Sequence, residues 1–340
     1  MTNYIDTSTE SDITFILLGS EGFLGSAFTQ ESLKLSTQEL LKVDPKVDCN
    51  GVEKHILKFR NLEELTLYYR DSLTLNSKVQ TVSRLILINT SGISRSGKYI
   101  NDSAELAKYN VNVDIINTLA QFLQFLTGNN FYEKILVVHF STLAIEYSNT
   151  LGAYELSKSA QESVLVNLIN TMKSETMRLI IIRLSDVYGD ENYHHDKIIN
   201  KLLHAAKNKT PLNYVDGKAV IRPVHISFVV NSTFHYITKF LSIHGVPKIQ
   251  RIRLEPKYVF KVKTAHKFAL SKSRNKFLLY LLIYFSRILA ALRFYIIKLK
   301  ITVCSKHLFD HKYFIGPLGF FQHTYKSDFY KYISEEGRNS

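Results

Sequence analysis

The sequence predicts an α/β fold, a doubly wound parallel sheet with a smaller C-terminal substrate-binding cap. Two observations carry that reading. Short, mostly apolar runs alternate with helix-period segments through the first two thirds of the chain, and the rhythm changes after Gly189. Apolar runs without polar alternation mark strands buried on both faces, and strands separated by helices demand parallel crossovers.

The elements follow in order. Ile13 to Leu18 is the first strand, and Phe23 to Lys34 a helix with apolar residues at Phe23, Leu24, Ala27 and Phe28. Gln38 to Val43 and His55 to Lys58 give the next two strands, followed by a helix over Leu62 to Leu73. Strands at Leu85 to Ile88, Ile135 to Val138 and Leu179 to Ile182 alternate with helices at Ala104 to Thr127 and Ala153 to Lys173. Beyond Gly189 come a helix at Ile198 to Ala206, an extended stretch from Pro211 to Val220, and a segment from Val224 to Phe240 that returns to the sheet. The expected domains are therefore 13–190 with 224–240, and a cap of 191–223 and 241–335.

In such a sheet the ligand crevice lies beyond the carboxyl ends of the strands. The first of these ends carries Gly19-Ser-Glu-Gly22-Phe-Leu-Gly25, a GxxGxxG turn between strand and helix. Glycines there open the backbone N–H groups at a helix start to a pyrophosphate. Gly19, Gly22, Phe23, Leu24 and Gly25 are accordingly candidate dinucleotide ligands in a Rossmann-like domain. Asp44 ends the second strand, where a carboxylate accepts both hydroxyls of an adenosine ribose and repels a 2′-phosphate. That favours NAD, while the flanking Lys42 and Lys46 leave NADP open. Thr90, Ser91 and Gly92 follow the fourth strand, and Ser141 and Thr142 the fifth.

Tyr154 and Lys158 stand four residues apart on one face of a helix. A phenol titrating near 10 is a poor base at neutral pH, and a neighbouring ammonium favours its ionised form. The pair is a candidate proton shuttle, with Ser141 or Thr142 as the accompanying hydroxyl.

These motifs resemble the extended short-chain dehydrogenase/reductase superfamily, and within it the NAD-dependent epimerase/dehydratase family that acts on nucleotide sugars. Further matches stand in that family's order: Tyr109-Asn-Val-Asn112-Val, Val137-Val-His-Phe-Ser141-Thr142, Ile182-Arg183-Leu-Ser-Asp-Val-Tyr188-Gly189 and Arg222-Pro-Val-His225-Ile. The resemblance implies that Tyr154, Lys158, Thr142 and Ser141 are catalytic, that Tyr188 lies near substrate or cofactor, and that Arg222 contacts the nucleotide diphosphate. It also implies a role for Asn112 in ordering water at the active site. Where the family places an aspartate against adenine the chain has Lys58-Phe-Arg-Asn61, so Asn61 is the polar candidate for that contact. Leu143-Ala144 replace the Asp-Glu pair of a dehydratase, which leaves an epimerase or a ketoreductase. Ile297 to Thr302 followed by Leu318-Gly-Phe-Phe echoes enzymes of surface-polysaccharide biosynthesis.

Charge adds a further expectation. The chain of 340 residues has a formal net charge of +13. Between Lys248 and Lys312 sixteen Lys and Arg face only Glu255 and Asp310. Within that region the uncharged run Phe277 to Ser286 spans ten residues, about half of what a bilayer-crossing helix needs. Residues 277–298 are expected instead to form a basic, aromatic helix at a membrane interface, a core helix or a dimer face. Cys49 and Cys304 have no metal or redox spacing, His194-His195-Asp196 reads as a solvated loop, and no signal peptide is readable, so a cytoplasmic enzyme is expected, with association at the inner face of the membrane left open by 277–298. Two other classes fit the charge and the apolar cap: a membrane-associated dehydrogenase of sterol or prenyl-linked substrates, and a non-catalytic dinucleotide-sensing or RNA-binding protein. Retention of both Tyr154 and Lys158 argues against the last.

Overall fold

A computed structural model of the chain describes residues 13–35, 40–48, 56–75, 82–93, 102–147, 152–172, 176–189, 198–199, 201–202, 219–242, 247–256 and 259–265. The first elements are β1 (Ile13–Leu18), α1 (Phe23–Leu35), β2 (Leu40–Val43), β3 (Ile56–Phe59), α2 (Leu62–Leu75), β4 (Val82–Asn89) and α3 (Asp102–Gly128). There follow β5 (Tyr132–Thr142), α4 (Ala144–Tyr147), α5 (Ala153–Thr171), β6 (Met177–Leu184) and β7 (Asp186–Tyr188). The last are β8 (Val220–Ile221), β9 (Pro223–His225), α6 (Ile226–Ser242), β10 (Ile249–Leu254) and β11 (Phe260–Lys261).

Seven strands make one sheet in the order β10-β6-β5-β4-β1-β2-β3. The first six in sequence thus run 3-2-1-4-5-6, the doubly wound order whose switch point lies between β1 and β4. Every strand expected before Leu184 forms, and the fourth, fifth and sixth run longer than the apolar run alone indicates. β5 continues through Ser141, opposite Arg183, and Thr142, opposite Leu184, so both hydroxyl residues sit on the ladder. Residues 249–254, grouped by sequence with the cap, lie against β6: Leu179 N donates to Lys248 O at 3.0 Å.

The described residues divide into two compact units. The first takes in those up to Leu184 and Val229–Arg253. One face of its sheet presents Ile16, Leu18, Leu85, Leu87, Val137 and Ile181 to Ile116, Leu119 and Leu123 of α3 and Leu165 and Ile169 of α5. On the other face Phe28 of α1 stacks on Phe140 and on Phe234 of α6, with ring centroids 5.3 and 5.9 Å apart. Fully burying each such side chain contributes roughly 1.5–3 kcal/mol, which makes this two-faced sheet the rigid support of the turns at its carboxyl end. The second unit comprises Ser185–Phe228 and the described residues from Leu254. In it β7 pairs in parallel with β9 and β8 antiparallel with β11.

No helix among the described residues is long and apolar enough to cross a membrane. Residues 277–298, the C-terminal echo, both cysteines and His194-His195-Asp196 lie outside the described residues.

Candidate active site

The glycine turn leaves no room for side chains. Gly19 has φ +74°, and a Cβ on it would stand 2.9 Å from the Ser91 backbone. A Cβ on Gly25 would stand 2.0 Å from Gly19 O. The turn is closed by Gly22 N donating to Gly19 O at 3.1 Å, and the first ladder bond of α1 is Ser26 N to Gly22 O at 2.9 Å. The N–H groups of Phe23, Leu24 and Gly25 therefore precede any helical partner. A bare backbone cradle at a helix start fits a dinucleotide pyrophosphate.

Asp44 completes this edge. Its carboxylate is buried and accepts from Glu21 N at 3.3 Å and Lys46 N at 2.8 Å, which fixes it beside the glycine turn. Lys46 thereby contributes its backbone. The Lys42 ammonium is engaged elsewhere, 2.7 Å from the Glu21 carboxylate. Asn61 is exposed, and its Oδ1 accepts Glu64 N at 2.9 Å as the cap of α2.

Across the switch point, Thr90 Oγ1 donates to Leu18 O at 2.7 Å, which ties the loop after β4 to the end of β1. Ser91 is held by Asn89, whose Oδ1 accepts from Ser91 N at 3.0 Å and also from Ser91 Oγ. With its oxygen so used, Asn89 Nδ2 is the donor to His139 Nδ1 at 3.1 Å, so the neutral imidazole carries its hydrogen on Nε2. Burial, and then the Lys158 charge, hold the His139 pKa well below its ordinary value. Gly92, at φ +133°, brings the same loop against α5: a Cβ there would lie 3.4 Å from Lys158 Nζ.

Lys158 is buried, and its Nζ donates to Phe140 O at 3.3 Å. Burial pulls its pKa down to about 8, partly opposed by the Glu162 carboxylate one turn along α5. An amine poised in this range changes charge close to neutrality, unlike an exposed lysine. Tyr154, one turn before it, is half-buried. α5 starts at Gly152, whose N–H donates to Glu155 Oε2 at 3.1 Å. Asn112 is committed to structure: its Oδ1 accepts Ile93 N at 2.8 Å and its Nδ2 donates to Ser157 Oγ at 3.0 Å. It thus joins the Gly92 loop to α5.

The two hydroxyls at the end of β5 differ. Ser141 Oγ is buried with no hydrogen-bond partner. Thr142 is half-buried, and its Oγ1 accepts Ala144 N at 3.2 Å, which caps α4 and leaves its own hydrogen for donation. In the second unit Tyr188 is fully buried with its ring edge-on to His225 at 5.1 Å, and Arg222 N donates to Asp186 Oδ2 at 2.7 Å. The structure thus gathers Gly19, Gly22, Gly25, Asp44, Thr90, Ser91, Ser141, Thr142, Tyr154 and Lys158 in the first unit, and places Tyr188 and Arg222 in the second.

Sequence reasoning allowed Arg183 as a buried ion-pair partner and missed the carboxylate it engages, Glu162, one turn beyond Lys158 on α5. Arg183 Nε and NH2 donate to the two oxygens of Glu162 at 2.9 and 2.6 Å, and NH1 donates to Glu146 of α4 at 2.8 Å. Glu146 also meets Arg253 at 3.2 Å. The signal for Glu162 was available, since it continues the helical face of Tyr154 and Lys158 by one further turn. Nothing in the sequence marks Asn89 or His139. Among the described residues no group of three or more His, Cys, Asp or Glu could hold a metal ion.

Comparison with known proteins agrees with this geometry. No curated protein matches the chain. Among solved structures, MoeE5 in complex with UDP-glucose and NAD is 18% identical with a TM-score of 0.55, over 77% of this chain and 82% of that one. The UDP-glucuronic acid 4-epimerase from Bacillus cereus, solved with UDP-glucuronic acid and NAD, is 14% identical with a TM-score of 0.58, over 77% and 83%. The UDP-glucose 4-epimerase from Thermotoga maritima, solved with UDP-glucose, is 13% identical with a TM-score of 0.55, again over 77% and 83%. At such identities the likeness establishes the fold. The family itself comes from residues 15–242, which match "Epimerase: NAD dependent epimerase/dehydratase family". Because that match covers more than half of the chain and takes in the glycine turn, Asp44, Tyr154 and Lys158, the chain belongs to the NAD dependent epimerase/dehydratase family.

Proposed function

We propose that the protein is an NAD-dependent epimerase or ketoreductase acting at a secondary alcohol or ketone of a nucleotide-activated sugar. The observation that carries this reading is the placement of Lys158, buried against the Gly92 loop at the switch point, one helical turn from Tyr154. When bound, the nicotinamide supplies the carbon that accepts and returns a hydride. The glycine turn would hold the pyrophosphate, Asp44 the adenosine ribose, and Thr90 and Ser91 the wall of the crevice. Protonated Lys158 would bind the nicotinamide ribose and lower the phenol pKa of Tyr154, which exchanges a proton with the sugar oxygen. Thr142, with its hydroxyl hydrogen available, would donate to the same oxygen; Ser141 is the buried alternative.

Dehydration needs a further acid–base pair. Leu143 is buried and apolar, Ala144 carries none, and the nearest acid in α4, Glu146, is held by Arg183 and Arg253. Relatives of this fold solved with UDP-glucose and with UDP-glucuronic acid support a nucleotide sugar as substrate rather than a sterol or prenyl-linked one. Arg222 is the residue we assign to the diphosphate, because a guanidinium fork matches phosphate oxygens, and Tyr188 to the neighbourhood of substrate or cofactor. The C-terminal echo supports a place in surface-polysaccharide biosynthesis, and the basic, aromatic composition of 277–298 supports peripheral membrane contact or a homodimer face. The test is incubation of the purified protein and NAD with a panel of UDP- and dTDP-sugars, followed by NMR of the sugar. An epimer or reduced sugar formed by wild type and absent with Tyr154→Phe is the expected result; a protein that binds NAD yet converts none of the panel would sink the nucleotide-sugar reading.

A further inference from the structure

Lys42 lies on β2 two residues before Asp44, at the place where a basic side chain would greet a 2′-phosphate on the adenosine ribose. Its side chain is 14% exposed and its ammonium sits 2.7 Å from Glu21 Oε1. Glu21 lies inside the glycine turn, between Gly19 and Gly22, and its backbone N–H donates to the Asp44 carboxylate at 3.3 Å. Ser20 Oγ donates to the same Glu21 oxygen at 3.2 Å, which orients the carboxylate from its other side. One edge of the cradle therefore carries two acids, Asp44 held by the Glu21 backbone and Glu21 itself, and one base, Lys42, already engaged by the Glu21 carboxylate.

We propose that Glu21 is a specificity-determining residue that secures discrimination against NADP by holding Lys42 away from the ribose 2′-position. The inference rests on the dinucleotide reading of the glycine turn and extends it to a residue outside the glycine and aspartate pattern. A 2′-phosphate entering this edge would meet the Asp44 carboxylate, a second carboxylate at Glu21, and a lysine whose charge is spent on that carboxylate. Removing Glu21 takes away one repulsive charge and frees an ammonium that binds phosphate as a point charge. NAD, with a neutral hydroxyl at the same position, loses little. Lys46 is exposed and meets Asp44 through its backbone N–H, so its side chain takes no part in the Glu21 contact.

The experiment is equilibrium binding of NAD and NADP to the purified protein, read by calorimetry, for wild type, Glu21→Ala, Lys42→Met and Glu21→Ala with Lys42→Met. Glu21→Ala should tighten NADP binding about five- to tenfold, the scale of one charge-assisted phosphate contact, and leave NAD within about twofold. The gain should disappear in the double variant. Unchanged NADP affinity in Glu21→Ala overturns the proposal, and so does a gain that survives Lys42→Met, since direct repulsion by Glu21 would then be the whole effect. Wild type that already binds NADP as tightly as NAD also overturns it, while leaving the dinucleotide reading intact. Wild type that binds neither dinucleotide overturns that reading and this proposal together.

Discussion

Arg183 of β6 and Glu162 of α5 are joined by two parallel hydrogen bonds, Nε to Oε1 at 2.9 Å and NH2 to Oε2 at 2.6 Å, one helical turn beyond Lys158. The Glu162 side chain is 6% exposed, so this carboxylate depends chiefly on the Arg183 guanidinium for its solvation, with Arg251 more distant at 3.9 Å. Arg183 in turn is held above its ordinary pKa, first by its hydrogen bonds to Glu162. Truncating one member should therefore cost more than removing both. Arg183→Met should lower the unfolding free energy by about 3 kcal/mol, because it strands a buried charge. Arg183→Met combined with Glu162→Leu should recover part of that loss. Denaturant unfolding of the cycle measures it; a double variant less stable than Arg183→Met alone would show that the pair acts through packing instead.

Lys158 makes stability depend on pH in a defined window. Its ordinary pKa of 10.5 falls to about 8 in the fold, chiefly through burial. Below about 8 both folded and unfolded chains hold the proton, and the cost of the buried charge is fully present. Between about 8 and 10.5 the unfolded chain retains a proton that the folded chain has released, so stability rises with pH. The titratable groups that act on the amine are Glu162 on its own helix and neutral His139 on β5, with Arg183 acting through Glu162. The rise should be on the order of 3 kcal/mol in the ligand-free protein, and Lys158→Met should lack it. Comparing unfolding free energies of the two proteins from pH 7 to 10 isolates the lysine, and parallel profiles would refute its assignment.

Tyr154→Phe keeps the ring and removes the phenol. Activity on the sugar should fall by about 10²–10⁴-fold, the usual contribution of a positioned acid–base group, while NAD binding stays within about threefold. A variant that keeps more than about a tenth of the wild-type rate would transfer the proton step to another residue.

The basic segment 277–298 should bring the protein down with anionic liposomes, and the binding should weaken as salt rises, because headgroup attraction is screened within a Debye length. Replacing Leu281, Leu282 and Phe285 by Ser should abolish sedimentation and leave NAD binding intact. Unfolding or dissociation of a dimer by the same substitutions would assign the stripe to a core or a subunit interface.

The sequence by itself determined the sheet, the glycine turn and the Tyr154–Lys158 pair. Each is a local pattern: an apolar run is a buried strand wherever it lies, glycine is required where φ is positive or a Cβ would collide, and residues four apart share a helical face. Legibility failed where a role depended on what stands across the fold. The resemblance implies a water-ordering role for Asn112, and what the sequence does not show is that its carboxamide joins α3 to α5 and the Gly92 loop. Asn61 is the polar candidate for adenine in the sequence, and its spacing does not show that its carbonyl oxygen caps α2. Lys42 left the choice between NAD and NADP open in the sequence because its partner, Glu21, lies on a different turn of the chain. Only tertiary structure decided these contacts, as well as the neutral form of His139 and the lowered pKa of Lys158. Hydrogen-bond partners, desolvation and charge pairing are properties of what is close in space, and the spacing of residues along the chain does not encode them.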